Sequence, residues 1–392
     1  MRKWYHSSLK RGVCSDALPR TLNRTRFAEG AGLLGNLFST VYEVKQAMFG
    51  NNATEEIARL RCEVDAEIAG GLEPPELRYL LFKMTNRCNS DCEYCSHAIS
   101  NISNETKADI STEIVIRTIR EAAELGCAAM AINGGEPLLR KDIVEIVEEA
   151  VSCGIVPVLM TNGLLLPNKW RGMAEAGLRY VIISFDSVEP NVYELQRGAS
   201  FDAALLGINA AQDMMREYPD THVHVSSVLT KDNQSGFLRT VEFMTERGIA
   251  VQISPYHHHD GRIRDDISIR DREAIESLAD KLLSMKKSGA LIASSTGFIK
   301  HLPDFFIDGR RLPRDYSCKI GYTNLFIDAY MNVRPCWDWC FEPLGNLSVN
   351  TLPELWHGER MRSYRKDMLN NKCNGCWYMC TGEVTMLLDN ML

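Results

Sequence analysis

The chain of 392 residues is long enough to bury about three quarters of its unfolded surface and to divide into more than one folding unit. Its 44 basic and 51 acidic side chains leave a formal charge of −7, which opposes a general grip on nucleic acid. No apolar run approaches the roughly 20 residues that cross a bilayer, and thirteen cysteines with metal-type spacings and no signal peptide argue for a reducing cytoplasm rather than disulfides. Residues 1–76 read as a helical extension. Seven basic residues and one acid, Asp16, precede Phe27. The uncharged stretch from Gly30 to Tyr42 then repeats Leu33, Leu34, Leu37, Phe38, Val41 and Tyr42 at helical spacing. The pattern predicts a helix packed against the next domain, with contact to a membrane surface or a basic arm for a partner as alternatives.

From Leu77 to about Tyr256 strand and helix patterns alternate. The strands expected are Leu77 to Thr85, Cys127 to Asn133, Ile155 to Thr161, Tyr180 to Asp186, His222 to Leu229 and Ala250 to Ser254. Between them lie helices capped by Ser111 and running to Gly126, then Lys141 to Cys153, Asn168 to Ala176, Phe201 to Glu217 and Gly236 to Arg247. Several end at a glycine, as at Gly154, Gly177 and Gly248. Such alternation implies an α/β fold with a parallel sheet and right-handed crossovers, assigned to 77–310 and including a further helix from Asp271 to Lys287. Beyond about Leu312 periodicity weakens and cysteines multiply, so 311–392 reads as a small region stapled by metal.

Three cysteines follow the first strand, in Lys83-Met-Thr-Asn-Arg-Cys88-Asn-Ser-Asp-Cys92-Glu-Tyr-Cys95. Three thiolates on one loop would fill three corners of a [4Fe–4S] cube and leave one iron open; a zinc knuckle or three buried thiols are the plainer readings. Gly134-Gly135-Glu136-Pro137 follows the second strand, Thr161-Asn162-Gly163 the third, and Ser184-Phe185-Asp186 closes the fourth. Ligands of parallel barrels sit at the C-terminal ends of strands, so these motifs converge on one site.

The cysteine loop, with Tyr94 before its third cysteine, and the GGEP run together resemble the radical S-adenosylmethionine (radical SAM) superfamily. The resemblance implies a partial (β/α)6 TIM-like barrel. It also implies a site-differentiated cluster on Cys88, Cys92 and Cys95 whose open iron binds S-adenosylmethionine, with an electron donor such as flavodoxin or ferredoxin. Gly134, Gly135, Glu136 and Pro137 would meet the methionine moiety, with Glu136 receiving its ammonium. Asn162 would approach the ribose, Ser184 and Asp186 the carboxylate or ribose, Arg197 the carboxylate, and the backbone at Ile253 the adenine.

At the back, Cys318, Cys336, the Leu352-Pro-Glu-Leu-Trp356 run and Cys373-Asn-Gly-Cys376-Trp-Tyr-Met-Cys380 resemble the auxiliary-cluster domains called SPASM and twitch. That resemblance implies at least one auxiliary [4Fe–4S] cluster, on Cys318, Cys336, Cys373 and Cys376. Cys340 and Cys380 exceed this set; either could replace a ligand or serve as a hydrogen-donating thiol. A zinc ribbon is the structural alternative. His257, His258 and His259 follow the sixth strand, and His257 or His259 could act as base or anchor, although a solvated loop explains the run equally well. Cys14, Cys62, Cys127 and Cys153 read as ordinary thiols. The function expected first is dehydrogenation or epimerisation of a small natural-product or carbohydrate-like molecule. The alternatives are maturation of a ribosomally made peptide, and a non-catalytic iron–sulfur or zinc protein.

Overall fold

A computed structural model describes residues 53–70, 76–95, 109–256, 265–309, 317–337, 341–372 and 376–388. The expected stretch from Gly30 to Tyr42 lies outside them. Helix α1 (Ala53–Ile68) belongs to the extension. Six strand and helix units then follow in the anticipated order: β1 (Tyr79–Lys83), α2 (Thr112–Glu124), β2 (Ala129–Asn133), α3 (Ile143–Ser152), β3 (Val156–Thr161), α4 (Leu166–Glu175), β4 (Tyr180–Ser184), α5 (Pro190–Arg197), α6 (Phe201–Glu217), β5 (His222–Leu229), α7 (Phe237–Thr245) and β6 (Ala250–Pro255). Helix α8 (Arg272–Lys287) begins at Asp271, whose carboxylate caps Ala274 N–H at 3.1 Å. Ser111 caps α2 by accepting from Ile114 N–H, a contact of about 1 kcal/mol.

Helix α5 escaped the sequence reading although its signals were present: Pro190 at its first position and Gly198, at φ 56°, just beyond its end. Two short helices, α9 (Thr296–Lys300) and α10 (Leu302–Asp308), follow α8. The cysteine-rich end also holds more regular structure than its periodicity suggested. It contains β7 (Asn324–Ile327), β8 (Asn332–Arg334), β9 (Gly345–Asn346), α11 (Leu352–Trp356), α12 (Glu359–Leu369), a π-turn at Met379–Glu383 and α13 (Val384–Leu388). The start of α11 was legible in Thr351-Leu-Pro-Glu354, a capping box in which each side chain bonds the other's backbone N–H.

Among the described residues nine strands join one sheet in the order β6-β5-β4-β3-β2-β1-β7-β8-β9. The first six are parallel and in sequence order, as crossover helices require. Strand β7 pairs parallel with the free edge of β1, Tyr79 opposite Asn324, and β8 and β9 continue antiparallel. The cysteine-rich region therefore extends the barrel sheet.

Because side chains alternate across a strand, the sheet has two cores. On the outer face Leu80, Phe82, Met130, Ile132, Leu159, Val181 and Val225 pack beneath the helices. On the inner face Leu81, Ala131 and Phe326 meet Leu60 and Val64 of α1, Val384 of α13, and Cys318 and Cys336. Among the described residues no helix is long and apolar enough to cross a membrane.

Candidate functional site

Cys88, Cys92 and Cys95 lie on one half-buried loop beyond the C-terminal end of β1, within electrostatic reach of one another. Burial pushes the Cys88 thiol up, and it pushes Cys92 up to about 11 against the opposing pull of the Arg197 cation. Thiolates so placed call for metal charge to hold them ionised. Among the described residues no three Cys, His, Asp or Glu side chains close around a single metal ion. A cube binds each thiolate through a separate iron, so its ligands stand farther apart than those of one ion. Three thiols gathered on one loop are the donor set that a three-cornered cluster would take.

The GGEP run builds this loop's seat. Gly135 N–H donates to Thr85 O at 2.8 Å and Glu136 N–H to Arg87 O at 2.7 Å, so the turn after β2 pairs with the chain entering Cys88. A Cβ on Gly135 would lie 2.2 Å from Arg87 O, and one on Gly134 would lie 2.8 Å from Thr85 Cγ2. Glycine is required because two backbones touch here. Pro137 opens a 3-10 turn, Pro137–Leu139.

Glu136, expected to receive the cofactor's ammonium, is also engaged by the chain itself. Its carboxylate is wholly buried and accepts from Asn162 N–H at 2.7 Å, Thr161 Oγ1 at 2.8 Å and Leu138 N–H at 2.9 Å. Burial pushes it up to about 7, and these donors pull the other way. Held by three donors of the chain, it fastens the end of β3 to the turn after β2.

Asn162 is likewise turned toward the cysteine loop, donating from Nδ2 to Asn89 Oδ1 at 2.7 Å and Ser90 Oγ at 3.0 Å rather than standing free for a ribose. Asp186 and Arg197, expected to meet the cofactor separately, bind each other: Arg197 Nε and Nη2 both lie 2.7 Å from the carboxylate. Tyr94 O–H also donates to Asp186. Ser184 closes β4, half-buried. Ile253 points into the outer core and its N–H donates to Ser294 Oγ at 3.0 Å, which removes that donor from adenine recognition. The strand alternation behind these orientations was readable, but the partners were not.

Sequence reasoning also missed the bracing beneath the loop. Buried Arg140 donates from Nη1 to Met84 O at 2.9 Å and Ile110 O at 2.8 Å, and Arg87 grips Asp109 with Nε at 3.1 Å and Nη2 at 2.5 Å. An arginine following a GGEP turn at a strand end was the available signal.

At the back, Cys318, Cys336 and Cys380 pack into the inner core. Burial pushes Cys380 up to about 12, with Cys318 nearby adding to the rise. Cys376 is buried beside Trp377, whose ring stacks on Phe298 with centroids 5.0 Å apart. Asn324 is fully buried, and both its side-chain Oδ1 and Nδ2 lack a partner; it shares the face of β7 that carries Phe326. An orphaned buried amide on this face suits a group able to accept its hydrogen bond. Cys340, Cys373, His257 and His259 fall outside the described residues.

Comparison with known proteins follows the same division. Residues 82–244 match the radical SAM superfamily and residues 318–377 match an iron–sulfur cluster-binding domain, SPASM. A probable GTP 3′,8-cyclase of Methanothermobacter thermautotrophicus is 29% identical over 272 residues, 66% of this chain and 83% of the relative. A PqqA peptide cyclase of Ruegeria pomeroyi is 26% identical over 320 residues, 78% of this chain and 82% of the relative. In fold the chain resembles SuiB of Streptococcus suis bound to its precursor peptide SuiA, with TM-score 0.59 and 17% identity over 80% of this chain and 72% of that one.

Proposed function

The chain belongs to the radical SAM superfamily and carries a SPASM iron–sulfur domain, and on that premise we propose that it modifies a residue within a peptide. The supporting observation is that similarity to a peptide cyclase runs through 78% of the chain. The neighbour of similar fold is described bound to a precursor peptide. This weighs against the small natural-product or carbohydrate-like substrate expected first. A nucleotide substrate is the second reading, favoured by the relative named as a GTP 3′,8-cyclase.

Cys88, Cys92 and Cys95 would hold the site cluster, and Cys318, Cys336, Cys376 and Cys380, with Cys373, supply the candidates for the auxiliary one. When bound, the cluster and S-adenosylmethionine would supply a hydrogen-abstracting 5′-deoxyadenosyl radical. The chain's own part is positional. Glu136 and Asn162 tie the ends of β2 and β3 to the loop, and the paired glycines allow its close seat. Inner-face side chains from Leu81 to Phe326 exclude water from below.

The test is anaerobic incubation of reconstituted protein with dithionite, S-adenosylmethionine and either candidate precursor peptides or GTP, followed by mass spectrometry. Formation of 5′-deoxyadenosine together with a two-dalton loss from a peptide supports the reading. Turnover of GTP alone would replace it with the second, and absence of 5′-deoxyadenosine under every condition would remove both.

A further inference from the structure

The cysteine loop is gripped from its far side by groups that need no metal. Glu93 N–H donates to Gln196 O at 3.0 Å. Gly198, which ends α5 in the left-handed region, lies so close that a Cβ would come within 2.4 Å of Asp91 O. Tyr94 O–H donates to Asp186, and the Arg197 guanidinium lies 5.3 Å from the Tyr94 ring centroid. Asp186 also accepts from Val228 N–H at 2.7 Å, and Asn233 Nδ2 donates to its carbonyl at 3.0 Å. A single buried carboxylate thus joins the loop, α5 and the end of β5.

We propose that Asp186 is a positioning residue with two effects: it locks Tyr94, and with it the flanking Cys92 and Cys95, before metal arrives, and it cancels the Arg197 charge beside Cys92. The second effect bears on redox chemistry. Reduction adds an electron to a cluster, and an uncompensated cation at low exposure stabilises the added charge and raises the potential. Radical generation from a sulfonium needs a low potential, so a cation at this position requires its counter-charge. The inference deepens the proposed function and rests on a cluster bound by Cys88, Cys92 and Cys95.

Three variants separate the two effects. Asp186→Asn keeps the shape and removes the charge; Tyr94→Phe removes the tether and keeps the ion pair; Asp186→Asn with Arg197→Gln removes both charges. Hydrogen exchange over residues 88–95 of the metal-free protein reads loop order. A spectroscopic redox titration of the reconstituted protein reads the potential, with the Cys88, Cys92 and Cys95 triple alanine variant identifying signals that do not come from the loop. Loop exchange should quicken at least tenfold in all three variants. Asp186→Asn should shift the cluster's reduction equilibrium about tenfold toward the reduced form, ~59 mV for one electron. Tyr94→Phe should leave the midpoint in place, and the double variant should restore it. Wild-type exchange and midpoint in Asp186→Asn would overturn the inference. So would equal midpoint shifts in Asp186→Asn and Tyr94→Phe, which would tie the potential to loop order alone. Should the wild-type loop bind no iron, the proposed function fails, yet exchange in Tyr94→Phe still decides whether the grip exists.

Discussion

Gly135→Ala puts a methyl group where the structure has backbone. The added Cβ would fall 2.2 Å from Arg87 O, 2.7 Å from Arg87 C and 2.9 Å from Asn86 O. No rotamer relieves a clash with main chain, so the turn after β2 must withdraw from the segment that enters Cys88. Withdrawal breaks Gly135 N–H to Thr85 O and Glu136 N–H to Arg87 O. Two such bonds contribute about 1 to 3 kcal/mol in all, and forced overpacking costs about 1 to 3 kcal/mol more. The expected destabilisation is therefore about 2 to 6 kcal/mol, accompanied by loss of the loop's iron because the seat of Cys88 moves. Urea unfolding and iron counting after anaerobic reconstitution provide the assay. Gly172→Ala in α4 is the control, since its Cβ would meet only Val144 Cγ2 at 3.7 Å; it should stabilise by about 0.5 to 1 kcal/mol. A Gly135→Ala protein that unfolds within about 0.5 kcal/mol of wild type and loads wild-type iron would refute the argument that backbone contact explains these glycines.

Glu136 gives a pH signature. Its folded-state value of about 7 lies above its ordinary 4.5, so the folded chain holds more protons than the unfolded chain between those limits. Stability from this group therefore grows as pH falls from about 7 toward 4.5, by ~3 kcal/mol at most; comparing urea curves of wild type and Glu136→Gln across that window should show the difference, and parallel curves would sink it. Trp377→Ala removes a ring stacked on Phe298 and set edge-on to His301 at 4.3 Å. Thermal or urea unfolding should register a loss of about 3 to 5 kcal/mol, with auxiliary iron lost more readily than loop iron. Replacing Cys88, Cys92 and Cys95 together by alanine should leave about four irons. Adding Cys380→Ser should lower that count if Cys380 is a ligand, and an unchanged count would return it to the role of spare thiol.

The parallel barrel was legible because its signals are local. Buried strands such as β5 run between turn residues, amphipathic helices such as α6 start at a capping serine, and both elements lie where periodicity put them. The cysteine spacing and GGEP run also sit at strand ends, where their order in the chain required. Helix α5, with 8 residues, and α11 and α13, with 5 each, were missed since they are short, and short helices depend on packing more than on pattern; α12, with 11 residues, is strongly polar and shows little apolar periodicity.

What the sequence determined on its own was the alternating strands and main helices of the barrel, their order and the identity of the groups brought to its mouth. Tertiary structure alone decided which of those groups meet. Asp186 and Arg197 are separated by a helix boundary that periodicity did not mark, and Tyr94 reaches Asp186 across 92 positions. Likewise, β7 could be assigned to the free edge of β1 only once the sheet had formed. The physical reason is that hydrogen bonds and ion pairs act over a few ångströms of space, whereas periodicity records only which side of an element is apolar. Glu136 and Arg197 therefore show their chemical type in the sequence, while their partners, and hence their roles, emerge only when strands from distant parts of the chain lie side by side.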